Sequence, residues 1–124
     1  MCTVLIVEDD ECLRTSLATA LANEYMVRTV GGGLEALRFL KQNTVDLILL
    51  DMVMSAGDGF TVLAQVAKMS PKPQVVILSV LDQVGTAVKA MRLGADDYLV
   101  KPCALNTVRE IVRKVLGGTS SPTA

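Results

Sequence analysis

The chain has no histidine and no tryptophan, and only 3% of its residues are aromatic. Without histidine there is no imidazole to ligate a metal. There is also none to activate a serine or cysteine nucleophile, or to carry a phosphohistidine. Three cysteines, Cys2, Cys12 and Cys103, are odd in number and form no CxxC pair. They read as free thiols in a reducing compartment. No apolar run reaches the roughly 18–20 residues that span a bilayer. The start, "MCTVLIVEDD", has no basic head and meets acids by position 8, unlike a signal peptide. A cytoplasmic location is expected, with no membrane partner. Twelve basic against thirteen acidic residues give a net charge of -1. That is not the basic surplus of a nucleic-acid surface, so no direct nucleic-acid contact is expected.

What is present is aliphatic. Of 124 residues, 51% are hydrophobic, enough for one domain with a real core. Short apolar runs alternate with helical periodicity. "TVLIV" (3–7), "YMVRTV" (25–30), "VDLILL" (45–50), "QVVILSV" (74–80) and "DYLV" (97–100) read as strands, the second as an edge strand. Between and after them, 12–23, 34–42, 60–68, 82–94 and 104–117 read as helices. The expected inward faces are Leu13, Leu17 and Leu21; Leu34, Leu37 and Leu40; Phe60, Leu63, Ala64 and Ala67; Val84, Val88 and Met91; and Leu105, Val108, Val112 and Val115. Gly94 is the expected stop of the fourth helix. Alternating strands and helices predict an α/β fold, a parallel sheet with crossover helices on both faces. Residues 1–117 form the expected domain. Residues 118–124, "GTSSPTA", read as a linker or C-terminal tail.

In an open parallel sheet, ligands bind beyond the carboxyl ends of the strands. Glu8, Asp9 and Asp10 follow the first strand. Asp51 follows four apolar residues of the third, Ser79 closes the fourth, and Lys101 with Pro102 follows the fifth. Each has a plainer use alone: acids cap helices, core hydroxyls find partners, and lysines face water. Together they gather several carboxylates, a hydroxyl and an ammonium at one edge. Clustered carboxylates repel and need a cation, and hard oxygen ligands with open positions suit Mg²⁺. A carboxylate beside a metal, a lysine and a hydroxyl is an arrangement for phosphoryl transfer to oxygen.

The pieces "VLIVEDD" (4–10), "DLILLDMVMSAGDG" (46–59), "VVILSV" (75–80) and "GADDYLVKP" (94–102) occur in the order of a known family. The chain resembles the receiver domain of two-component response regulators over residues 3–117. The resemblance implies a flavodoxin-like (βα)5 fold with a doubly wound sheet of order 2-1-3-4-5. It implies that Asp51 accepts a phosphoryl group from a phosphohistidine on a sensor histidine kinase or phosphotransfer protein. It implies a Mg²⁺ site from Glu8, Asp9, Asp51 and the backbone carbonyl of Val53. Ser79 would be the switch hydroxyl, Lys101 the phosphate-pairing lysine, Tyr98 the aromatic that swings inward, and Lys101–Pro102 a cis peptide. The face of fourth helix, fifth strand and fifth helix would carry the signal to a fused output domain, such as a transcriptional one, or to a partner. That face would also suit a homodimer, with Asp96, Asp97 and Arg113 offering charge pairs. Such a domain is regulatory, promoting only its own phosphotransfer and dephosphorylation.

Four positions depart from the family pattern. Ser55 stands where proline is usual. Val80 replaces a small residue after the switch hydroxyl and should tune access to the phosphoryl pocket. Cys103 replaces a large aromatic and leaves volume for neighbours to fill. "LEALRFL" follows "GGG" where small polar residues are commoner. Rival readings are weaker. A phosphatase with an aspartate nucleophile wants a second acid at position 53, which is valine. A flavin or nucleotide carrier wants a phosphate-cradling loop where this chain has three acids. A receiver used only for docking, without phosphorylation, is the alternative within the family.

Overall fold

Thr3–Val7 form β1, Glu11–Leu21 α1, Met26–Val30 β2, Gly33–Gln42 α2 and Leu47–Asp51 β3. Gly59–Val66 form α3, Gln74–Val80 β4, Val84–Arg92 α4, Asp97–Lys101 β5 and Leu105–Ser120 α5. All five residues of β3 are buried, which requires a strand covered on both faces and both edges. The computed structural model describes residues 1–52, 59–80 and 84–120. The strands pair in parallel in the order β2-β1-β3-β4-β5, the expected flavodoxin-like sheet. The edge strand β2 is only partly buried, as its Arg28 and Thr29 require.

The two-residue period of a strand divides the core in two. Leu5, Val7, Ile48, Leu50, Val75 and Ile77 pack toward α2, α3 and α4. Val4, Ile6, Leu47, Leu49, Val76 and Leu78 pack toward α1 and α5, meeting Leu17, Leu21, Val108 and Val112. Each buried aliphatic side chain contributes about 1.5–3 kcal/mol. Carboxylates tie the opposite end of the sheet. Asp46 Oδ2 accepts from the Thr3 amide and Asp96 Oδ2 from the Val75 amide, both at 2.7 Å.

The helices lie where expected, but three present a different face. In α2 the inward residues are Gly33, Ala36 and Leu40, and Leu34 is 63% exposed. In α3 they are Gly59, Val62, Leu63 and Val66, while Ala64 and Ala67 face out. In α4 Ala87 and Ala90 are buried, and Val88 and Met91 are exposed. In α2 and α4 close packing on the sheet selects the small side chains, and larger ones spill outward. In α3 the larger Val62, Leu63 and Val66 pack inward. Leu105 is likewise exposed, although Val108 and Val112 are buried as expected. Gly94 has φ 114°, a left-handed conformation that favours glycine just past α4. The α5 helix continues through Ser120, three residues into the stretch read as tail.

Candidate functional site

The parallel register brings the carboxyl ends of β1, β3, β4 and β5 to one edge. Asp51 lies opposite Leu78, Ser79 opposite Val100, and Val80 opposite Lys101. Glu8 follows β1 directly, and its amide continues the sheet by donating to the Val30 carbonyl. Glu8, Asp51 and Ser79 are the buried polar residues there, each 1% exposed. Asp9 beside them is exposed. Oxygens of Glu8, Asp9 and Asp51 lie within 4.8 Å of one another.

Lys101 crosses from β5 to this cluster. Its Nζ donates to Asp51 Oδ2 at 3.1 Å and to Glu8 Oε1 at 3.2 Å. One ammonium therefore faces two buried carboxylates. Burial pushes the Glu8 carboxyl up to about 7, and a hydrogen bond with Asp51 adds to the rise. The Asp10 amide, donating to Glu8 Oε2, and Lys101 pull it partly back. For Lys101, burial favours the neutral amine, but the hydrogen bond and charge of Asp51, together with Glu8, outweigh it and raise the ammonium's pKa. Three carboxylates against one ammonium leave an excess of negative charge on hard oxygen donors. Such a donor set fits a small divalent cation that keeps part of its water shell.

Ser79 and Tyr98 belong to a second feature. They line an apolar cavity of about 420 Å³ with Val80, Ala87, Val88 and Met91. Tyr98 is 44% exposed, so its ring stands at the surface beside this space. Val80, half-buried, also lines a cavity of about 380 Å³ on the α1 side. There the volume left by Cys103 is not taken up by its neighbours, contrary to the expectation from the sequence. The Lys101–Pro102 peptide is cis. Val53 and Ser55 lie outside the described residues.

The local sequence explains the placement. Asp10 caps α1 by accepting from the Leu13 amide at 3.2 Å, which frees Glu8 and Asp9 for the edge. Gly59 lets α3 start close to the end of β3: a Cβ there would lie 2.7 Å from Met52 Sδ. One participant was not legible as such. Arg14 Nη1 donates to the Glu8 carbonyl at 2.9 Å and straps α1 to the acidic turn. Its signal was spacing: it stands one helical turn after Asp10, on the face that looks back at the turn.

A doubly wound sheet with an acidic cluster and a lysine at its carboxyl edge defines a class of signalling domain, and comparison with known proteins agrees. Residues 4–113 match the model of the response regulator receiver domain. The chain belongs to that family, the receiver domains of two-component response regulators. It is 33% identical to the DNA-binding transcriptional regulator NtrC of Azospirillum brasilense over 123 residues, 98% of this chain and 26% of that protein. It is 36% identical to the response regulator MprA of Mycobacterium sp. (strain KMS) over 118 residues, 94% of this chain and 51% of that protein. The chain thus spans about half or less of the relatives it matches. The receiver domain of NtrX from Brucella abortus superposes with a TM-score of 0.87 at 28% identity, covering 94% of this chain and 99% of that one. No helix among the described residues is long and apolar enough to cross a membrane. All three thiols are free, with Cys2 and Cys12 exposed.

Proposed function

We propose that this domain is a phosphorylation switch in which Asp51 is the acceptor. The observation that carries the reading is the buried Asp51 carboxylate, 3.1 Å from Lys101 Nζ and clustered with Glu8 and Asp9. A buried carboxylate is costly without partners, and this one lies at the carboxyl edge of the sheet beside Lys101 and two further acids. The donor must come from elsewhere, since the chain has no histidine. An Asp51 oxygen attacks phosphorus, a P–O bond forms, and the P–N bond to a sensor kinase's imidazole breaks. The imidazole leaves neutral, keeping the proton already carried on its other ring nitrogen. Glu8, Asp9 and Asp51, with the Val53 carbonyl, would hold Mg²⁺, which when bound neutralises charge on the phosphoryl oxygens. Lys101 stays paired to that charge.

The added charge, roughly -1.5 to -2, and its acceptor oxygens attract the Ser79 hydroxyl. Movement of Ser79 toward them enlarges the cavity it shares with Tyr98, and the Tyr98 ring turns inward to fill it. The α4–β5–α5 face changes shape as a result. Val88, Met91, Tyr98 and Leu105 are the exposed apolar residues of that face, which supports its use by an output domain, a partner or a second copy. Its charges are less available than expected. Arg113 pairs with Glu24 at 2.7 Å, Asp97 with Lys114 at 3.6 Å, and Asp96 caps the Val75 amide. A DNA-binding regulator among the relatives supports a transcriptional output beyond this domain.

The test is to add beryllofluoride with Mg²⁺ and follow amide shifts. Changes at Ser79, Tyr98 and α4 that require Asp51 support the reading. An unchanged spectrum in the presence of bound beryllofluoride overturns the switch.

A further inference from the structure

The cavity beside Cys103 lies next to the acidic edge and shares Val80 and Lys101 with it. It measures about 380 Å³ and lies between α1 and the ends of β4 and β5. Its walls are Leu13, Leu17, Leu78, Val80, Pro102 and Cys103, with Lys101 also lining it. Leu17 and Leu78 are each 1% exposed, so the floor is part of the packed core. Leu13, Val80 and Cys103 are half-buried, so the rim is open to an entering molecule. A half-open apolar space of this size falls within the range of ligand sites, about 300 to 1,000 Å³.

We infer that this cavity is a binding site for a small, neutral, fused-ring aromatic molecule. Size is the first argument. An apolar cavity of about 150 Å³ suffices for benzene, and this one is more than twice as large. Wall chemistry is the second. Six of the seven lining residues offer aliphatic carbon or sulfur, and a thioether or thiol sulfur favours the edge of an aromatic ring. Charge is the third. Among the described residues, Lys101 is the one charged residue in the lining, and its ammonium is already committed to Asp51 and Glu8. An anionic ligand would meet those carboxylates close behind it, and an organic cation would meet no acid among the described lining residues. A neutral ring system meets neither obstacle. Occupancy also touches the two side chains that border the acidic site, Lys101 and Val80. The site itself stands on geometry alone and does not depend on Asp51 being phosphorylated.

The experiment titrates the whole chain with indole and follows methyl and amide shifts, beside a Cys103→Phe variant whose ring fills the cavity. Saturable shifts at Leu13, Leu17 and Val80, reduced at least tenfold in apparent affinity by Cys103→Phe, are expected. A folded Cys103→Phe protein that binds indole as well as wild type overturns the inference. So do wild-type shifts that centre on Val88 and Met91, or that are absent up to the solubility of indole. If Cys103→Phe does not fold, the wild-type shift map decides by itself.

Discussion

Lys101 and Asp51 stand 50 residues apart in sequence and 3.1 Å apart in space. The same ammonium reaches Glu8 at 3.2 Å. It is the group that lets two buried carboxylates share one pocket before any metal or phosphoryl group arrives.

Removing that ammonium should therefore be felt in the resting protein. Lys101→Met keeps the stem and deletes the charge. Metal-free stability should fall by about 1–3 kcal/mol, the cost of leaving charged hydrogen bonds unmade. The loss is limited because Glu8 can take a proton. Urea denaturation of both proteins in EDTA checks this. Equal midpoints would mean that Lys101 does not hold the carboxylates together.

The raised Glu8 carboxyl gives a pH signature with two opposite signs. Its folded value, about 7, lies above the ordinary 4.5, so the folded state holds the extra proton between these values. Metal-free stability is then greatest below the unfolded value and declines as pH rises from about 4.5 through 7. Mg²⁺ competes with that proton, so its affinity should climb over the same interval and level off above it. Glu8→Gln should flatten both curves. Calorimetric titrations at pH 6, 7 and 8 would show it.

Val80 lines the cavities on both sides of the phosphoryl edge. Val80→Ala should speed phosphorylation by acetyl phosphate and hydrolysis of the product, each several-fold, by widening access. Rates indistinguishable from wild type would remove Val80 from the account. Stability should drop by about 1 kcal/mol for the deleted methyls.

The helix faces can be tested by stability alone. Leu49→Ala empties the centre of the sheet and should cost about 2–5 kcal/mol. Leu34→Ala, on the exposed side of α2, should stay within about 0.5 kcal/mol. A large loss at Leu34 would restore the face expected from leucine spacing.

That contrast marks how far the sequence could be read. Strands announced themselves, because "DLILL" and "QVVILSV" are too apolar for anything but a sheet covered on both sides. The site residues were legible because the end of a parallel strand is a fixed address. Asp51, Ser79 and Lys101 each follow or close an apolar run. Helix rotation was harder. Leucine spacing suggested Leu34, Val88 and Met91 as core, but the tight helix–sheet contacts went to Gly33, Ala36, Ala87 and Ala90. Alanine and glycine carry no periodic signal strong enough to outweigh a leucine. The strap from Arg14 to the Glu8 carbonyl was also hard to read, since a backbone acceptor leaves no mark in the sequence and only the spacing of Arg14 from Asp10 hints at it. The cavity at Cys103 was visible only as a missing aromatic, and whether neighbours would collapse into it depended on packing.

The most direct test of the central claim is the intact mass of the protein after incubation with acetyl phosphate, with and without Mg²⁺, beside Asp51→Asn. The expected result is the gain of one phosphoryl group that requires Mg²⁺ and disappears in the variant. If neither acetyl phosphate nor a phosphorylated kinase adds that mass to wild type, or if Asp51→Asn gains it equally, Asp51 is not the acceptor. No gain in wild type would leave a domain that signals by docking alone; an equal gain in Asp51→Asn would move the acceptor to another residue.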